Sequence, residues 1–460
     1  METLARAANR GSISTGYDID NSLALKSKSA ERLYFTPSSS GNRKTWTFSI
    51  WAKFPITDKY CMMMGTADTY MYLDQYGGDL HIRLDGSNYL YTTPVYRDTS
   101  AWYHIVLAVD TTQATDTNRA KLYVNGEQVT DFATEVYPAQ NADTDWNFTN
   151  AHYVGGWSVS TYDSDCYIAE VHSVDGQQLS PTDFGEFDSD TGIWKPKAYT
   201  GSYGTNGFYL EFKNAADLGD DTSGNNKNFV LSNITSADQA TDTPTNSFCT
   251  QINSASFLQR SPQTDHATYA GTISQDSSVT NNWTGTMCSF PIFSGKWYWE
   301  VKMNQPSEQM CGVHSFIGAT GNNTGPYQVD NAWVCYGGGA YWLSYIDGTA
   351  AQGGTEGAFS NGTVVGVALD MGGKTLTFYE NGGSAGTNLT NIDISSLVDK
   401  GDPLIPFIGV FRNAIWTNFG GYTTMSNSTS YADENGYGSF VYQPPSGYYA
   451  LCSKNLAEFG

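Results

Sequence analysis

Short runs in which apolar and polar residues alternate constrain this chain more than any other feature of its sequence. Trp46, Phe48 and Ile50 alternate with two small polar residues, which is the two-residue period of a strand with one buried face. Asn125 and Gly126 add a hairpin signal because both residue types tolerate positive φ. Many short strands at regular spacing predict an all-β sandwich or barrel. Further strand-like runs lie at 70–74, 80–84, 102–110, 120–124, 167–174, 297–303, 363–370, 375–380 and 406–411.

Composition supports this fold class and narrows the choice of partner. Aromatic residues make up 14% of the chain and charged residues only 15%, which suits pleated strands better than long helices with solvated charged faces. The formal net charge of −22 opposes binding to nucleic acid or to an anionic membrane. It suits a cation, a sugar or another protein. Residues 1–19 contain no apolar signal segment, and no stretch approaches a membrane span, so we expect neither signal nor anchor.

The seven cysteines form an odd set without C-x-x-C spacing. This pattern predicts neither a disulfide framework nor a zinc site. We therefore expect buried small apolar residues at these positions, since unpaired cysteine is among the most buried residue types. The positions are Cys61, Cys166, Cys249, Cys288, Cys311, Cys335 and Cys452.

Changes of pattern along the chain predict four segments. Residues 1–30 are polar and Ser-rich, which is typical of a terminal arm that could anchor assembly. Residues 31–190 and residues 285–460 are rich in strand signals, and each region is expected to form a β-sandwich. Residues 191–284 contain many turn residues and few strand signals, so we expect a loop-rich connector with some strand.

Segments of the first strand-rich region resemble the laminin-G-like, concanavalin-A-like lectin family. They are residues 102–110 (WYHIVLAVD), residues 121–126 (KLYVNG), and residues 167–172 (YIAEVH) followed by residues 179–181 (LSP). Their order and spacing match the W-x-H-I, L-Y-V-N-G and I-x-E-V…L-S series of that family. The resemblance implies a jelly-roll sandwich and leaves the ligand open.

The second strand-rich region resembles the SPRY domain, which is also a concanavalin-A-like sandwich. Residues 295–301 (GKWYWEV) look like its opening strand, and residues 364–370 (VVGVALD) with residues 376–382 (LTFYENG) look like its central hairpin. Residues 406–410 (PFIGV) look like a late strand. This resemblance implies a module that binds protein or sugar. The predicted fold is therefore two concanavalin-A-like jelly-roll sandwiches.

The two resemblances together look like structural proteins of marine tailed phages, which carry such domains on tail fibres or capsid surfaces. They imply a virion surface or tail-fibre protein that binds a host-surface glycan or neighbouring virion proteins. Such a protein assembles in the host cytoplasm and needs no secretory signal. Fibre proteins are usually symmetric homo-oligomers, so the resemblance implies a trimer. A capsid decoration or tail connector without a ligand is the alternative.

An acidic, turn-rich stretch is the candidate cation site. Hard cations such as calcium prefer clustered carboxylate and carbonyl oxygens. The stretch resembles the D-x-S-G-N turn of laminin-G-like domains, and a simple turn with side-chain caps would contain the same residue types. A second acidic set, formed by Asp68, Asp74 and Asp163, could meet at a loop edge. The candidate calcium ligands are Asp217, Asp220, Asp221 and Asn225.

Exposed aromatic residues are the candidates for sugar binding. Tyr and Trp combine an apolar ring face with a polar tip, which suits a ligand that is apolar on its faces and polar at its rim. Each ring could equally belong to the core. The candidate ligand-binding residues are Trp157, Tyr162, Trp333, Tyr336, Tyr341 and Trp342, with Tyr60, Tyr70, Tyr89 and Tyr91 as further candidates.

A glycan-cleaving enzyme is the third function considered. Glycoside hydrolysis needs two carboxylates roughly 5–10 Å apart, which sandwich glucanases place on one strand as E-x-D-x-E or E-x-D-x-x-E. The nearest match lies at residues 186–190, where Asp190 replaces the second Glu. His104 and His172 lie inside strand-like runs, and the other four histidines show no ligand spacing; they are His81, His152, His266 and His314. We therefore expect a binding protein without catalytic residues.

Overall fold

The computed structural model describes most of the chain, in ranges separated by short gaps. Nearly all of its regular structure is β, so the predicted fold class is confirmed. The chain divides into two compact units, of which the first ends at Ser247 and the second begins at Phe248. In the described ranges no helix is long and apolar enough to cross a membrane. These ranges are residues 16–26, 30–55, 60–74, 77–157, 164–189, 191–250, 267–268, 272–275, 284–316, 331–411, 413–423, 425 and 429–460.

The first unit contains two antiparallel sheets, here called sheet A and sheet B. Sheet A has the strand order β10-β9-β8-β3-β13-β1-β18, with β16 beside β13, and sheet B has the order β11-β7-β6-β5-β4-β12-β2-β17. Strands β14 and β15 form a small separate sheet. The strands are β1 (Ser22–Leu25), β2 (Arg32–Phe35), β3 (Thr45–Lys53), β4 (Cys61–Gly65), β5 (Thr69–Leu73), β6 (Asp79–Leu84), β7 (Tyr89–Val95), β8 (Trp102–Asp110), β9 (Ala120–Val124), β10 (Glu127–Gln128), β11 (Phe132–Glu135), β12 (His152–Val154), β13 (Cys166–Asp175), β14 (Gly185–Phe187), β15 (Trp194–Pro196), β16 (Phe208–Leu210), β17 (Val230–Ser232) and β18 (Gln239–Ala240), with 3-10 helices at Asp116–Asn118, Pro181–Asp183 and Ser236–Asp238.

The hydrophobic core of the first unit is formed by the inward side chains of both sheets. Trp46, Phe48 and Ile50 of β3 are fully buried in it, as their alternation predicts. In sheet B the residues of β5 and β6 alternate strictly between buried and half-buried. Burial of the inward set provides the main driving force for folding. The outward set of sheet B therefore stays at the surface.

The outer side of sheet A is covered by other segments of the first unit. Every residue of β13 is buried. Trp194 of β15 donates from its indole nitrogen to His104 Nδ1 on β8 at 3.0 Å. Further along the chain, Asp242 forms an ion pair with the Lys53 ammonium of β3 at 2.7 Å. The β14–β15 hairpin and the segment that contains Asp242 thus close the second face of sheet A.

The second unit contains two further sheets, here called sheet C and sheet D, which are antiparallel except for the parallel pair β22–β33 in sheet C. Sheet C has the order β19-β20-β32-β22-β27-β28-β29, with β30 beside β28 and β33 beside β22, and sheet D has the order β21-β31-β23-β24-β25-β26. The elements are β19 (Ala267–Thr268), β20 (Thr272–Gln275), β21 (Thr284–Met287), β22 (Lys296–Met303), β23 (Gln309–Ser315), β24 (Ala332–Tyr336), β25 (Tyr341–Ile346), β26 (Thr349–Gln352), β27 (Val364–Asp370), β28 (Thr375–Glu380), β29 (Gly383–Ser384), β30 (Ile392–Asp393), β31 (Leu404–Val410), β32 (Asn413–Asn418) and β33 (Tyr449–Ala450), helices α1 (Ser395–Val398) and α2 (Ser453–Phe459), and 3-10 helices at Pro306–Glu308 and Thr387–Leu389.

The predicted hairpin of the second region lies at the centre of sheet C. Strand β22 pairs with β27 along its length, and β27 continues into β28 through a tight turn. Trp297, Trp299 and Val301 are fully buried in the core of this unit. The alternation in this segment therefore predicted its inward face correctly.

Two predicted segment boundaries differ from the structure. Within the predicted arm of residues 1–30, β1 is fully buried and pairs with β13 and β18, so it belongs to the sandwich. The predicted connector of residues 191–284 is divided: β16, β17 and β18 belong to the first unit, and β21 belongs to the second. Each of these strands has only two to four residues, which is too short for alternation to identify.

The prediction that no cysteine is paired is wrong for two of the seven. Cys61 at the start of β4 and Cys166 at the start of β13 form a disulfide across 105 residues of sequence. The closing of the sandwich brings these two strand ends together, and no local spacing encodes that approach. Cys249, Cys288, Cys311, Cys335 and Cys452 are free and buried, as predicted.

Candidate functional site

The outer side of sheet B is rich in aromatic side chains, and we call it the aromatic face. Its members come from β5, β6 and β7 and from the residues that flank β4 and β12. All of them are half-buried, so their rings remain accessible to a ligand. The aromatic face consists of Tyr60, Tyr70, Tyr72, His81, Arg83, Tyr89, Tyr91 and Trp157.

Strand register assembles the central part of this face. Directly opposed residues on neighbouring strands point to the same side of a sheet. Tyr72 of β5 lies opposite His81 of β6, and His81 lies opposite Tyr91 of β7. One step along the strands, Arg83 of β6 lies between Tyr70 and Tyr89 in the same way. Two parallel rows of side chains therefore cross the sheet.

His81 is held at the centre of the first row by contacts on three sides. Its ring stacks on Tyr91, with the ring centres 3.9 Å apart and the planes inclined by 12°. Its Nδ1 lies 3.1 Å from the Tyr72 hydroxyl, and its Nε2 lies 2.9 Å from an Asp79 carboxylate oxygen. These contacts restrict the imidazole to one orientation, so this part of the surface is ordered before a ligand arrives.

Arg83 occupies the corresponding position in the second row. Its guanidinium carbon lies 5.7 Å from the ring centres of both Tyr70 and Tyr89, which is cation–π distance. The guanidinium also pairs with Asp68 at 2.9 Å, and its Nε donates to the Gly86 carbonyl at 2.8 Å. Arg83 therefore supplies directed hydrogen-bond donors between two aromatic rings.

Two loop residues extend the aromatic face toward β4 and β12. Trp157, which follows β12, contacts Tyr70 with ring centres 5.3 Å apart. Tyr60, which precedes β4, meets Tyr72 edge to face at 5.5 Å. The disulfide at Cys61 and the hydrogen bond from Asp165 N to the Tyr60 carbonyl at 3.2 Å restrain the backbone of Tyr60.

A group able to hold a cation lies at one end of the aromatic face. Ligand atoms of Asp74, Asp79 and His81 all lie within 4.8 Å of one another. The Asp74 carboxylate also accepts a hydrogen bond from Gly77 N at 2.9 Å. A set of one imidazole and two carboxylates suits a transition metal better than calcium, which prefers oxygen ligands.

The predicted calcium ligands have another role in the structure. The Asp221 carboxylate accepts hydrogen bonds from the backbone nitrogens of Tyr209, Ser223 and Lys227 at 2.7–3.0 Å. Asn225 donates to two backbone carbonyls, those of Gly204 and Gly207. These side chains stabilise the turn, which was the simpler interpretation of the sequence.

Two of the four predicted ligands do line a surface depression. Asp217 and Asp220 border a pocket of about 190 Å³ together with Glu211 and Thr222. Among the described residues, however, Asp217, Asp220 and Asp221 do not form a group whose ligand atoms lie within 4.8 Å of one another. Calcium binding at these residues stays a prediction.

The predicted aromatic residues of the second unit fall into two pairs. Trp333 is 8% exposed and belongs to the core, where its ring centre lies 4.6 Å from that of Trp342. Tyr336 and Tyr341 form the other pair, with ring centres 5.4 Å apart, and the Tyr336 hydroxyl donates to the Ser307 carbonyl at 2.6 Å. The two tryptophans therefore stabilise the sandwich.

In the first unit, the structure brings together several of the sequence candidates. Trp157, Tyr60, Tyr70, Tyr89 and Tyr91 all belong to the aromatic face, and Tyr162 lies outside the described residues, as does Asp163. Sequence reasoning missed Tyr72, His81 and Arg83. Their signal was present, since these residues occupy the polar positions of alternating strands at 69–73 and 79–84.

The carboxylates closest to a glucanase motif are engaged in ion pairing. Glu186 and Asp188 both contact the Lys195 ammonium, at 3.3 and 3.2 Å. They lie at the small β14–β15 sheet, away from the strands that carry the aromatic face. Asp190 lies outside the described residues. This arrangement stabilises a hairpin and offers no carboxylate pair facing a groove.

Other titratable groups of the first unit have structural partners. His104 is fully buried and its pKa is lowered to about 3 because burial disfavours the imidazolium. Glu170 accepts hydrogen bonds from Tyr17 at 2.5 Å and from Tyr209 at 2.8 Å. Both residues belong to the lectin-like segments of the sequence, and both hold the covered side of sheet A together.

A G-x-S-x-G pattern at residues 382–386 does not form a nucleophile site. That motif requires a sharp turn from a strand into a helix. Here Ser384 lies in the exposed β29 hairpin, and its hydroxyl accepts a hydrogen bond from Gly386 N at 3.2 Å.

Comparisons with known families agree with the two sandwiches. Residues 28–182 match the family model of the concanavalin A-like lectin/glucanases superfamily. Residues 296–422 match the family model of the SPRY domain. Each match covers less than half of the chain. The resemblances inferred from sequence motifs are therefore confirmed for these two regions. No curated protein matches the chain.

Solved structures that resemble parts of the chain are distant from it in sequence. One is a protein of Bacteroides ovatus ATCC 8483, provisionally assigned as a carbohydrate binding protein, with 15% identity and a TM-score of 0.33 over 47% of this chain and 59% of that one. The chain thus spans less than two thirds of that protein. Another is the SPRY domain of human HERC1, with 18% identity and a TM-score of 0.25 over 34% of this chain and 91% of that one.

Proposed function

We propose that the aromatic face is a carbohydrate-binding surface and that the protein is an adhesin. The observation that carries the proposal is the continuous series of ring contacts between half-buried side chains on the outer side of a lectin-like sandwich. From Trp157 the contacts run through Tyr70 and Tyr72 to His81 and Tyr91. Contiguous aromatic surface of this kind is uncommon outside binding sites.

The chemistry of the aromatic face suits a sugar. A pyranose ring has apolar C–H faces and a rim of hydroxyl groups. Tyrosine and tryptophan rings can stack on the faces, while their polar tips bind the rim. The Arg83 guanidinium and the Asp68, Asp74 and Asp79 carboxylates supply donors and acceptors beside the rings. A mixed set of this kind fits a hydroxyl-rich ligand better than a purely apolar one.

The proposal extends to a virion surface or tail-fibre protein. It rests on the likeness of the two strand-rich regions to phage structural proteins and on the strongly acidic chain. A host-surface glycan would be the ligand of the first unit, and neighbouring virion proteins are partners that a SPRY-like module could bind. We expect the protein to be assembled in the host cytoplasm and to form a homotrimer on the virion. Light scattering of the purified chain tests this oligomeric state.

The test of glycan binding is an array of host-type glycans probed with four proteins. They are the wild type, Tyr70→Ala, Trp157→Ala and the control Tyr341→Ala, which removes a paired tyrosine from the second unit. We expect both aromatic-face variants to lose about tenfold or more in affinity, since central aromatic anchors dominate binding energy. The control should bind as the wild type does.

Each alternative result has a defined meaning. Loss of binding only in Tyr341→Ala would move the site to the second unit and contradict the proposal. Absence of binding to every glycan by a folded wild-type protein would favour a capsid decoration or tail connector without a ligand. A parallel array with a chelator tests calcium: loss of binding there, restored by calcium, would support a calcium-dependent adhesin.

A further inference from the structure

The second row of the aromatic face continues far beyond the residues described above. On the β4 side of Tyr70, its neighbour is Gly65 of β4, and Gly65 lies opposite Tyr153 of β12. Tyr153 lies opposite Tyr34 of β2, and Tyr34 lies opposite Val230 of β17. We call the whole series the long row. It consists of Val230, Tyr34, Tyr153, Gly65, Tyr70, Arg83 and Tyr89.

The long row crosses seven adjacent strands of sheet B, from β17 to β7. Adjacent strands lie about 4.8 Å apart, so six spacings give a row of roughly 29 Å. That length is several times the width of one sugar ring. A single terminal sugar could contact only a small part of the row.

Apolar side chains occupy both ends of the long row. The end at β17 is here called the far end and the end at β7 the near end. At the far end, Tyr34 and Tyr153 have ring centres 5.9 Å apart, and both are half-buried. Val230 is 52% exposed. At the near end, Tyr89 contacts Tyr91 at 5.6 Å. Ring faces or apolar side chains are therefore available along nearly the whole length.

Gly65 interrupts the row of side chains at its middle. A Cβ atom at this position would meet Met62 Sδ at 3.6 Å and Tyr70 Cβ at 3.8 Å, which is ordinary contact, so packing does not require glycine here. Because glycine has no side chain, it leaves a shallow depression in the surface between Tyr153 and Tyr70. Trp157 contacts Tyr70 beside this low point and offers a ring face there.

We propose that the ligand is a linear polysaccharide whose chain lies along the long row, perpendicular to the strands. The inference rests on the proposed function and adds the ligand class. Successive sugar units would contact Tyr34 and Tyr153, then Trp157 and Tyr70, then Tyr89. The surface recognises an internal stretch of the polysaccharide. Several stacking contacts, each weak by itself, together give a higher affinity.

The experiment measures how affinity depends on chain length. Affinity electrophoresis through gels containing soluble β-glucan, xylan, alginate, laminarin or dextran identifies a polysaccharide that retards the wild type. Calorimetry then uses oligosaccharides of one to six units from that polysaccharide. We expect affinity to rise about tenfold or more between the dimer and the hexamer, because each added ring contact contributes about as much as an aromatic pair.

Variants at the far end distinguish this inference from the proposed function. Tyr34→Ala with Tyr153→Ala should lower hexamer affinity about tenfold and dimer affinity much less, because a dimer can still bind at Tyr70 and Tyr89. Val230→Asp replaces an exposed apolar side chain at the far end with a charged one and should also lower hexamer affinity. Near-ultraviolet circular dichroism confirms that each variant is folded. Tyr70→Ala should lower affinity for every length.

The possible results distinguish the polysaccharide inference from the proposed function. The inference of an extended polysaccharide ligand is contradicted if dimer and hexamer bind with equal affinity and the far-end variants bind normally. If Tyr70→Ala loses binding in the same experiment, the proposed function stands. If no polysaccharide retards the folded wild type while the glycan array still detects binding, the inference of a polysaccharide ligand is contradicted and the proposed function stands. If neither assay detects binding, both are contradicted. Length dependence that disappears in the far-end variants supports the inference.

Discussion

At the scale of single residues, one buried ion pair stands out in the first unit. The Lys53 ammonium and the Asp242 carboxylate are 0% and 1% exposed and lie 2.7 Å apart. Trp102 donates its indole N–H to the same carboxylate at 2.9 Å, and Lys53 also donates to Ser247 Oγ at 3.0 Å. The pair therefore fixes residues 242–247 against the outer side of sheet A.

Removing one partner of this pair should destabilise the first unit strongly. Asp242→Ala leaves the Lys53 ammonium without its neutralising charge in a buried position, which costs about 3–5 kcal/mol. The free energy of unfolding, measured with urea, tests this value. The control is Asp143→Ala, which removes a half-exposed partner of Arg43 and should change the free energy by about 1 kcal/mol or less. Equal effects of the two substitutions would refute the argument.

At the scale of elements, the turn between β9 and β10 depends on its glycine for two reasons. Gly126 has φ +84°, a backbone conformation that side-chain-bearing residues adopt at a cost. A Cβ atom at this position would also lie 2.4 Å from the ring of Trp194. The same indole donates to His104 on β8, so the turn, β15 and β8 are packed against one another.

A pair of glycine substitutions separates these two effects. Gly176→Ala serves as the reference, because Gly176 has φ +88° and no atom within 4 Å of the added Cβ. We expect it to cost about 1–2 kcal/mol from backbone strain alone. Gly126→Ala should cost about 1–3 kcal/mol more, because the methyl group displaces Trp194. Equal losses in urea unfolding would mean that Trp194 moves without cost.

At the scale of the whole molecule, burial shifts the pKa values of titratable groups in both units, and the net effect of acid on stability differs between them. In the first unit, burial lowers the pKa of His104 to about 3 and that of His152 to about 4, both from 6.5. Burial raises the pKa of Glu31 there to about 7. In the second unit, burial raises the pKa of Glu300 from 4.5 to about 7.

These pKa shifts predict opposite responses to acid. Between about pH 6 and pH 5, the unfolded first unit binds two protons at its histidines, while the folded unit binds one at Glu31, so stability falls as the pH falls. In the second unit the folded state binds the additional proton, at Glu300, so stability rises as the pH falls from 7 toward 4.5.

Calorimetry at pH 7 and pH 5 tests this prediction. The transition of the first unit should move to lower temperature at pH 5, and that of the second unit to higher temperature. Gly126→Ala identifies the first transition, since it should lower only that one. Glu300→Gln should abolish the rise of the second transition. A shift of both transitions in the same direction would contradict the assignment of these groups.

The sequence determined the fold class and much of the strand content, because alternation and turn residues act on near neighbours. The segments at 102–110 and 120–124 coincide with β8 and β9, and Asn125–Gly126 forms the predicted turn between β9 and β10. The aromatic residues at 60, 70, 89, 91 and 157 were also identified as candidates. Sequence alone could not separate them from Trp333, which is core.

Only the tertiary structure decided which distant residues meet. Cys61 and Cys166 bond across the sandwich, β1 and β16 pair with β13, and the register of sheet B aligns Tyr34 and Tyr153 with Tyr70. Each of these contacts depends on the pairing of strands that are far apart in the chain. A local pattern specifies which face of a strand is buried, whereas the neighbours of that strand are selected by packing of the whole unit.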